Sequence, residues 1–455
     1  MGGLTADVAA FASSLTYEAI PPSIIGAVKN GLTDYAAVTV LGKSSDVVDL
    51  LASFEEIGGR ESEASLFFSQ QRASARAAAL LNGASAHAHD YDDVGLSFHP
   101  AHPSVALAPA ILAEAEALGR SGKDVLTAYV AGYEVWGEIG SRDARPQHLK
   151  GWHPTGTFGA VAAAAACANL RRLDPVRTAH ALGIAASQAS GIVGNFGTMT
   201  KPFHAGHAAQ SGLMAARYAQ AGMTASPEIL EYKNGFLRAV SPDGDVDVTR
   251  PVRFHERWFS LDHAIGIKLY PMCYGSHRLI SRLTQYAIET NLDASQIEHV
   301  RWHTGPSRVV ALVHTNPKKA LGAKFSAEFA VAMSIIARRA TLAEVTDEFV
   351  SRADVRGLMG KVERDLDPAL DQIVYSDRPA DALHLTLSGG RSVTLDLPPP
   401  RDSALDLDAR KLWIKFRDCT KEAISEDGAR SLFERLQALE TCPDVRQLLG
   451  DALAV

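Results

Sequence analysis

Four histidines (His87, His89, His99, His102) and three aspartates (Asp90, Asp92, Asp93) fall within LNGASAHAHDYDDVGLSFHPAHPS, residues Leu81 to Ser104. Alanine-rich apolar sequence flanks the stretch on both sides. Charged side chains are rarely buried unless paired. So many titratable groups between two core helices predict a cleft holding groups of shifted pKa. An imidazole tuned by a carboxylate is a general acid–base pair. The same composition also describes a solvated loop with capping aspartates. A metal nest is a third reading, but histidines at i and i+2 on a helix point to different faces. The spacing matches neither HExxH nor a calcium loop, so no metal is expected.

Three further segments carry candidate groups. GWHPTGTFG, Gly151 to Gly159, holds His153 before a proline, then Thr155 and a helix start whose free N–H groups suit a carboxylate. An ordinary capped helix fits the same residues. GNFGTMTKPFHAGH, Gly194 to His207, holds Lys201 just ahead of a helix, with His204 close by. Lys201 suits a substrate carboxylate or proton transfer, or is a loop lysine on the surface. IKLYPMCYGSH, Ile267 to His277, holds Lys268 between apolar neighbours, then Tyr270 and His277. Lys268 fits a cleft rim or an edge strand. His277 fits the site or a satisfied core histidine.

These groups need elements to position them. Apolar residues at helical spacing predict helices over Thr5–Ser14, Pro22–Leu41, Arg76–His89, Lys123–Ile139, Thr157–Leu170, Pro175–Ala186 and Ala205–Gly222. Ser104 is read as the cap of a helix that Gly119 ends. Alanine at this density favours helix and close helix contact. A polar, turn-rich stretch follows at Ser241–Arg253. Beyond it the pattern mixes. Helices are expected over Tyr274–Ile288 and Ala327–Ala337, strand alternation over Glu298–Val313, and a hairpin around Gly389-Gly390 in Leu383–Leu397. Pro398 to Pro400 break the chain, and the tail Ala409–Leu453 returns to helix. The fold class is mainly α. A large all-helical domain (1–260) precedes a smaller α+β lid domain (261–404), and helices within 405–455 pack back on the first.

The 455 residues are 46% hydrophobic and 21% charged, enough for a large core without disulfide staples. The net charge of −7 and the absence of a basic block argue against nucleic acid or an acidic membrane surface. A small anion remains compatible, because local lysines outvote a global sign. Cys167, Cys273, Cys419 and Cys442 form no CxxC pair, which disfavours zinc and fits a reducing cytoplasm. MGGLTADVAAFASSLTYEAI lacks a basic start followed by an apolar run, so no signal peptide is expected. No run is long and apolar enough for a membrane span. Neither GxGxxG in context, GxxxxGK[ST] nor GxSxG is present.

Taken in order, LNG…HAHDYDD…HPAHPS, GWHPTGTFG, MTKPFHAGHAA, IKLYPMCYGSH and AKFSAEFAVA resemble the MmgE/PrpD family over nearly the whole chain. That family includes 2-methylcitrate dehydratases, cis-aconitate decarboxylases and iminodisuccinate epimerase. The resemblance implies a helical domain with an α+β lid, a homodimer, and no metal or organic cofactor. It implies that Asp90, His102, His153, Lys201 and Lys268 are catalytic, with Thr155, His204, Tyr270 and His277 in substrate binding. The family's lid-domain tyrosine has no clear match; His314 is the nearest candidate. The threonine that usually follows the acidic pair is Val94 here. The expected activity is a cofactor-independent lyase on a small di- or tricarboxylate. The alternatives are an epimerase using the same carbanion and a metal-dependent hydrolase built on the His/Asp cluster.

Overall fold

The computed structural model describes residues 2–60, 62–67, 69–95, 101–254, 256–370, 381–398, 403–405 and 407–449. His99, Pro399 and Pro400 lie outside the described residues, as does the end of the predicted tail helix.

Eight long helices build the first body: α1 (Leu4–Ser14), α2 (Pro22–Leu41), α3 (Ala75–His87), α4 (Pro103–Leu118), α5 (Gly122–Gly140), α6 (Pro154–Leu170), α7 (Pro175–Ala186) and α8 (Thr200–Gln220). Small side chains let them approach. A Cβ on Gly206 of α8 would meet the Leu80 carbonyl of α3 at 2.2 Å, and one on Gly83 would meet the Gly206 Cα at 2.8 Å. Only glycine fits at this crossing. It brings the first turn of α8, with Lys201, against the end of α3, with His87. Ser74 caps α3, accepting from Ala77 N at 3.2 Å, and Ser121 and Asp124 form a capping box at the start of α5. Gly119 ends α4 in the left-handed region at φ 63°.

Three differences from the sequence reading bear on the site. The cap of α4 is His102 with Pro103 at its first position, not Ser104. The Ser104 hydroxyl bonds Asp93 and Tyr129 instead. Helix α6 starts at Pro154 rather than Thr157. Lys201 sits in the first turn of α8, not ahead of it, because Pro202 is tolerated there.

The second body carries a four-stranded sheet of β1 (Ile297–Thr304), β2 (Val362–Leu366), β3 (Asp381–Leu387) and β4 (Arg391–Leu397) in the order β2-β1-β3-β4. β1 and β2 are parallel; the other pairs are antiparallel. β3 alternates buried and half-buried residues, and Gly389 and Gly390 turn the hairpin at φ 78° and 74°. Helices α9 (His277–Glu289) and α10 (Ala327–Ile336) pack together, and α9 meets the sheet at β4. The predicted strand Glu298–Val313 ends at Thr304, where Gly305-Pro306 starts a short helical turn.

Two hydrophobic cores result. One joins α1–α8 to Leu412, Phe416 and Leu432 of the last helices, α11 (Ala409–Thr420) and α12 (Glu426–Gln437). The other runs from Met272 through the sheet to Leu397. Between them Val94 pairs with Gly266 and Gly95 with Ile265, which fixes Lys268 beneath the His/Asp loop. Among the described residues no helix is long and apolar enough to cross a membrane.

Candidate active site

The loop after α3 turns sharply at Asp90, whose φ of 52° lies in the left-handed region. A non-glycine residue holds that conformation only where its surroundings enforce it. Here the surroundings are cationic. Lys201 Nζ lies 2.6 Å from Asp90 Oδ1, and Lys268 Nζ lies 3.2 Å from Oδ2 while donating to the Asp90 carbonyl at 2.7 Å. Burial alone would raise the Asp90 pKa. Lys201 and then Lys268 more than offset it and hold the carboxyl well below its usual range.

Asp92 binds two imidazoles at once. Its Oδ1 is 2.9 Å from His87 Nδ1 and its Oδ2 is 2.8 Å from His102 Nδ1. Burial opposes its charge, but His87 and His102 keep it ionised. His87 Nε2 lies 2.8 Å from Lys201 Nζ. An ammonium only donates, so His87 accepts at Nε2 and carries its hydrogen on Nδ1. Burial pushes the His87 pKa down to about 3, in keeping with a neutral ring. His102 is held the same way: Nδ1 also lies 3.0 Å from the Asp93 carbonyl, so Nδ1 donates. Its Nε2 then presents a lone pair, 3.7 Å from Asp90 Oδ1. Asp93 differs from its neighbours. Burial drives its pKa well up, against the hydrogen bonds it accepts from the Ser104 amide and hydroxyl, and that hydroxyl also meets Tyr129. Within four residues, then, the environment pushes two carboxyl pKa values down and a third up.

His153, at the start of α6, stacks edge-on to Phe196 with ring centroids 4.8 Å apart and meets His204 through their Nδ1 atoms at 3.2 Å. Burial, then Lys201, hold its pKa well below the usual value. Asp90, His102, His153 and Lys201 converge on one cleft between the two bodies, enclosing about 780 Å³ open to solvent. Cys273, Tyr274, Ser307, Arg308 and Phe325 line it from the second body, and Val94, His148, Leu149 and Phe196 from the first. Clefts between packed units are the preferred place for small ligands.

The remaining predicted residues stand behind this wall. Lys268 is fully buried, at neither a rim nor an edge, because two aspartates around it offset its desolvation. Thr155 accepts from the His102 amide at 3.0 Å and so fixes the start of α4. His204 backs His153. Tyr270 packs on His277, whose Nε2 donates to the Met272 carbonyl at 3.2 Å as a satisfied core histidine. His314 reaches the Phe196 carbonyl at 3.2 Å and does not line the cleft.

Sequence reasoning placed Asp92 in the cluster without assigning it a role. Its place between two imidazoles becomes visible only once α4 returns His102 to the end of α3. Tyr274, Ser307 and Arg308 carried no local signal, since only the docking of the second body brings them to the cleft.

One potential ligand atom each from His87, Asp90, Asp92 and His102 lie within 4.8 Å of one another, a spacing compatible with a metal ion. The donor set argues otherwise. The Lys201 amine already occupies the space between His87 Nε2 and Asp90 Oδ1, two atoms such a set would draw on.

Residues 6–249 match the family model of the MmgE/PrpD N-terminal domain and residues 270–441 that of the MmgE/PrpD C-terminal domain. The chain is 25% identical to the cis-aconitate decarboxylase of Mus musculus, over 98% of this chain and 93% of that protein. It is 25% identical to the cis-aconitate decarboxylase of Aspergillus terreus (98% and 95%) and 26% identical to that of Homo sapiens (92% and 89%). With both domain models matched in order across most of its length, the chain belongs to the MmgE/PrpD family.

Proposed function

We propose that the protein is a cofactor-independent lyase of decarboxylase or dehydratase type, acting on a small di- or tricarboxylate by proton transfer at the carbon next to a carboxylate. The observation that carries this reading is the cleft in which Lys201 stands beside Asp90 and His87 while His102 presents a free Nε2. The cis-aconitate decarboxylases among its relatives support the same class. Lys201 stabilises negative charge that builds on the substrate carboxylate. His102, oriented through Nδ1 by Asp92, is the proton carrier, and His153 is the second. In a decarboxylation the C–C bond breaks, CO₂ leaves its bonding pair on carbon, and an imidazolium proton neutralises that carbon. In a dehydration the imidazole takes the carbon-bound proton and hydroxide leaves as water with a second proton. Asp90 holds Lys201, and Lys268 holds Asp90. The resemblance also supports a homodimer, which sedimentation at the monomer mass would refute.

A second reading rests on the two imidazoles themselves. His102 and His153, ring centroids 6.2 Å apart, both line the cleft. Two bases on one carbon can remove a proton from one face and return it to the other, which is epimerisation. Proton NMR in D₂O separates the readings, using cis-aconitate, 2-methylcitrate, citrate and iminodisuccinate. A new alkene signal or released CO₂ establishes the lyase and names its substrate. Deuterium wash-in without loss of water or carbon establishes the epimerase. No change with any of the four overturns the proposal for these acids.

A further inference from the structure

Three consecutive backbone carbonyls in the site loop each accept a hydrogen bond from a different lysine. The His89 carbonyl accepts from Lys324, the Asp90 carbonyl from Lys268 at 2.7 Å, and the Tyr91 carbonyl from Lys415 at 2.7 Å. The three lysines come from three distant parts of the chain. Lys324 precedes α10 in the second body, Lys268 lies in the segment between the bodies, and Lys415 lies in α11. All three are buried. Burying a lysine amine is costly, and burial pulls the Lys324 pKa down to about 7, a cost that a surface loop has no need of. Lys268 also pairs with the Asp90 carboxylate, whereas the Lys324 and Lys415 amines bond His89, Tyr91 and Asp34, none of which lines the cleft. Lys324 meets the His89 carbonyl and, at 3.4 Å, its ring. Lys415 spans Tyr91 and the buried Asp34, whose Oδ1 lies 2.5 Å away, and sits 4.2 Å from the centre of the Tyr91 ring.

We propose that Lys324 and Lys415 are positioning residues: by donating to the carbonyls on either side of Asp90, they hold the left-handed turn that aims Asp90 at Lys201 and Asp92 at His87 and His102. The turn is the reason anchors are needed. At φ 52° Asp90 is in a conformation the chain disfavours, and its own side chain is committed to two lysines. Released, the peptide would relax toward the extended or helical region, and the Asp90 and Asp92 carboxylates would swing away from their partners. Lys324 also makes the geometry of the loop depend on the seating of the second body, since its segment continues directly into Phe325 of the cleft wall and then α10. Buried lysine side chains thus do for this loop what glycine does in an ordinary turn.

The inference rests on the lyase reading only where turnover is measured, so two readouts are needed. Lys324→Met is the first variant, because Lys324 has no carboxylate partner to strand. Lys415→Met is made together with Asp34→Asn, so that no buried carboxylate is left alone. On an acid that the wild type turns over, each variant is expected to lose kcat about 10- to 100-fold, the scale of a misplaced catalytic group. KM should stay within about threefold. The second readout needs no substrate: the ¹⁵N NMR signals of the histidine rings. In the wild type His87 and His102 should show the Nδ1–H tautomer, and in both variants their signals should move toward mixed tautomers. Folded variants with wild-type kcat and unchanged ring signals overturn the inference, and so does a fall in kcat with unchanged ring signals. If the wild type turns over none of the acids, the lyase reading fails and the ring signals alone decide this one.

Discussion

Lys201 Nζ and Asp90 Oδ1 lie 2.6 Å apart with about 4% and 3% of their side chains exposed, and 111 residues of chain separate them. Losing Lys201 leaves Asp90 paired with Lys268, 3.2 Å away. Lys201→Met is therefore expected to destabilise the fold by about 1–3 kcal/mol. In the double variant Lys201→Met, Asp90→Asn the loss should be smaller than the sum of the two single losses, with Lys268 left without its carboxylate and no recovery of turnover. Denaturant unfolding of the two single variants and the double variant measures the coupling. Additive effects would mean that the two side chains do not depend on each other.

His102 is the imidazole whose hydrogen bonds leave Nε2 toward the cleft, with about 12% of its side chain exposed there. His102→Ala is expected to lower turnover by about 10²- to 10⁴-fold, the usual contribution of a positioned acid or base. The variant should still fold, with a lowered melting temperature: Asp92 loses one of its two imidazoles but keeps His87, and α4 keeps its Thr155 and Pro103 start. A folded variant with near-normal activity would remove His102 from the mechanism.

Substrate binding should draw protons from solution. Burial, helped by Lys201, lowers the pKa of both His102 and His153, so both rings are neutral in the empty cleft near pH 7. A bound polycarboxylate brings negative charge to within a few ångströms, an effect of about 1–3 pKa units. The complex therefore binds more protons than the free protein. Calorimetry with a bound acid in two buffers of different ionisation enthalpy reads the number taken up. Proton release would contradict the assignment.

Away from the cleft, His277 gives the fold an acid-sensitive point. Burial, then Lys268, pushes its pKa down to about 3, against an ordinary value of 6.5. The folded protein keeps the ring neutral while the unfolded chain protonates it below pH 6.5. Its contribution is thus complete above pH 6.5 and is lost as pH falls toward 3. His277→Gln retains a donor for the Met272 carbonyl and removes the titration. The slope of unfolding free energy against pH should fall in that window by up to about 1.4 kcal/mol per pH unit. An unchanged slope would show that His277 does not set it.

Helices were legible wherever one face repeated. Pro22–Leu41 and Pro175–Ala186 have the limits read from sequence, and the others differ by a few residues at one end or both. The shifts at Pro103 and Pro154 share one cause: proline is at home in a first turn, so both helices begin before the Ser and Thr taken as their opening residues. The hairpin was legible from Gly389-Gly390, whereas β2 was not. Val362–Leu366 alternates weakly and becomes a strand only through its parallel partner far back in the chain. In the site, residue types pointed to Asp90, His102, His153 and Lys201, which do meet. The burial of Lys268 and the anchoring lysines Lys324 and Lys415 were not legible, because a lysine's partner is a matter of tertiary placement. A backbone carbonyl, moreover, leaves no mark in sequence.

The Lys415–Asp34 contact sets an order on folding during synthesis. Asp34 lies in α2, far ahead of α11 in the chain, and burial raises its pKa to about 6 against the pull of Lys415. Until α11 is made, that carboxylate has no lysine to bury with, and the Tyr91 carbonyl has no donor from α11. The entire second body is translated in between. The helical body therefore waits, with its site loop unfastened, for a helix encoded after the domain it will close against, and a nascent chain cannot acquire a finished site before α11 is made.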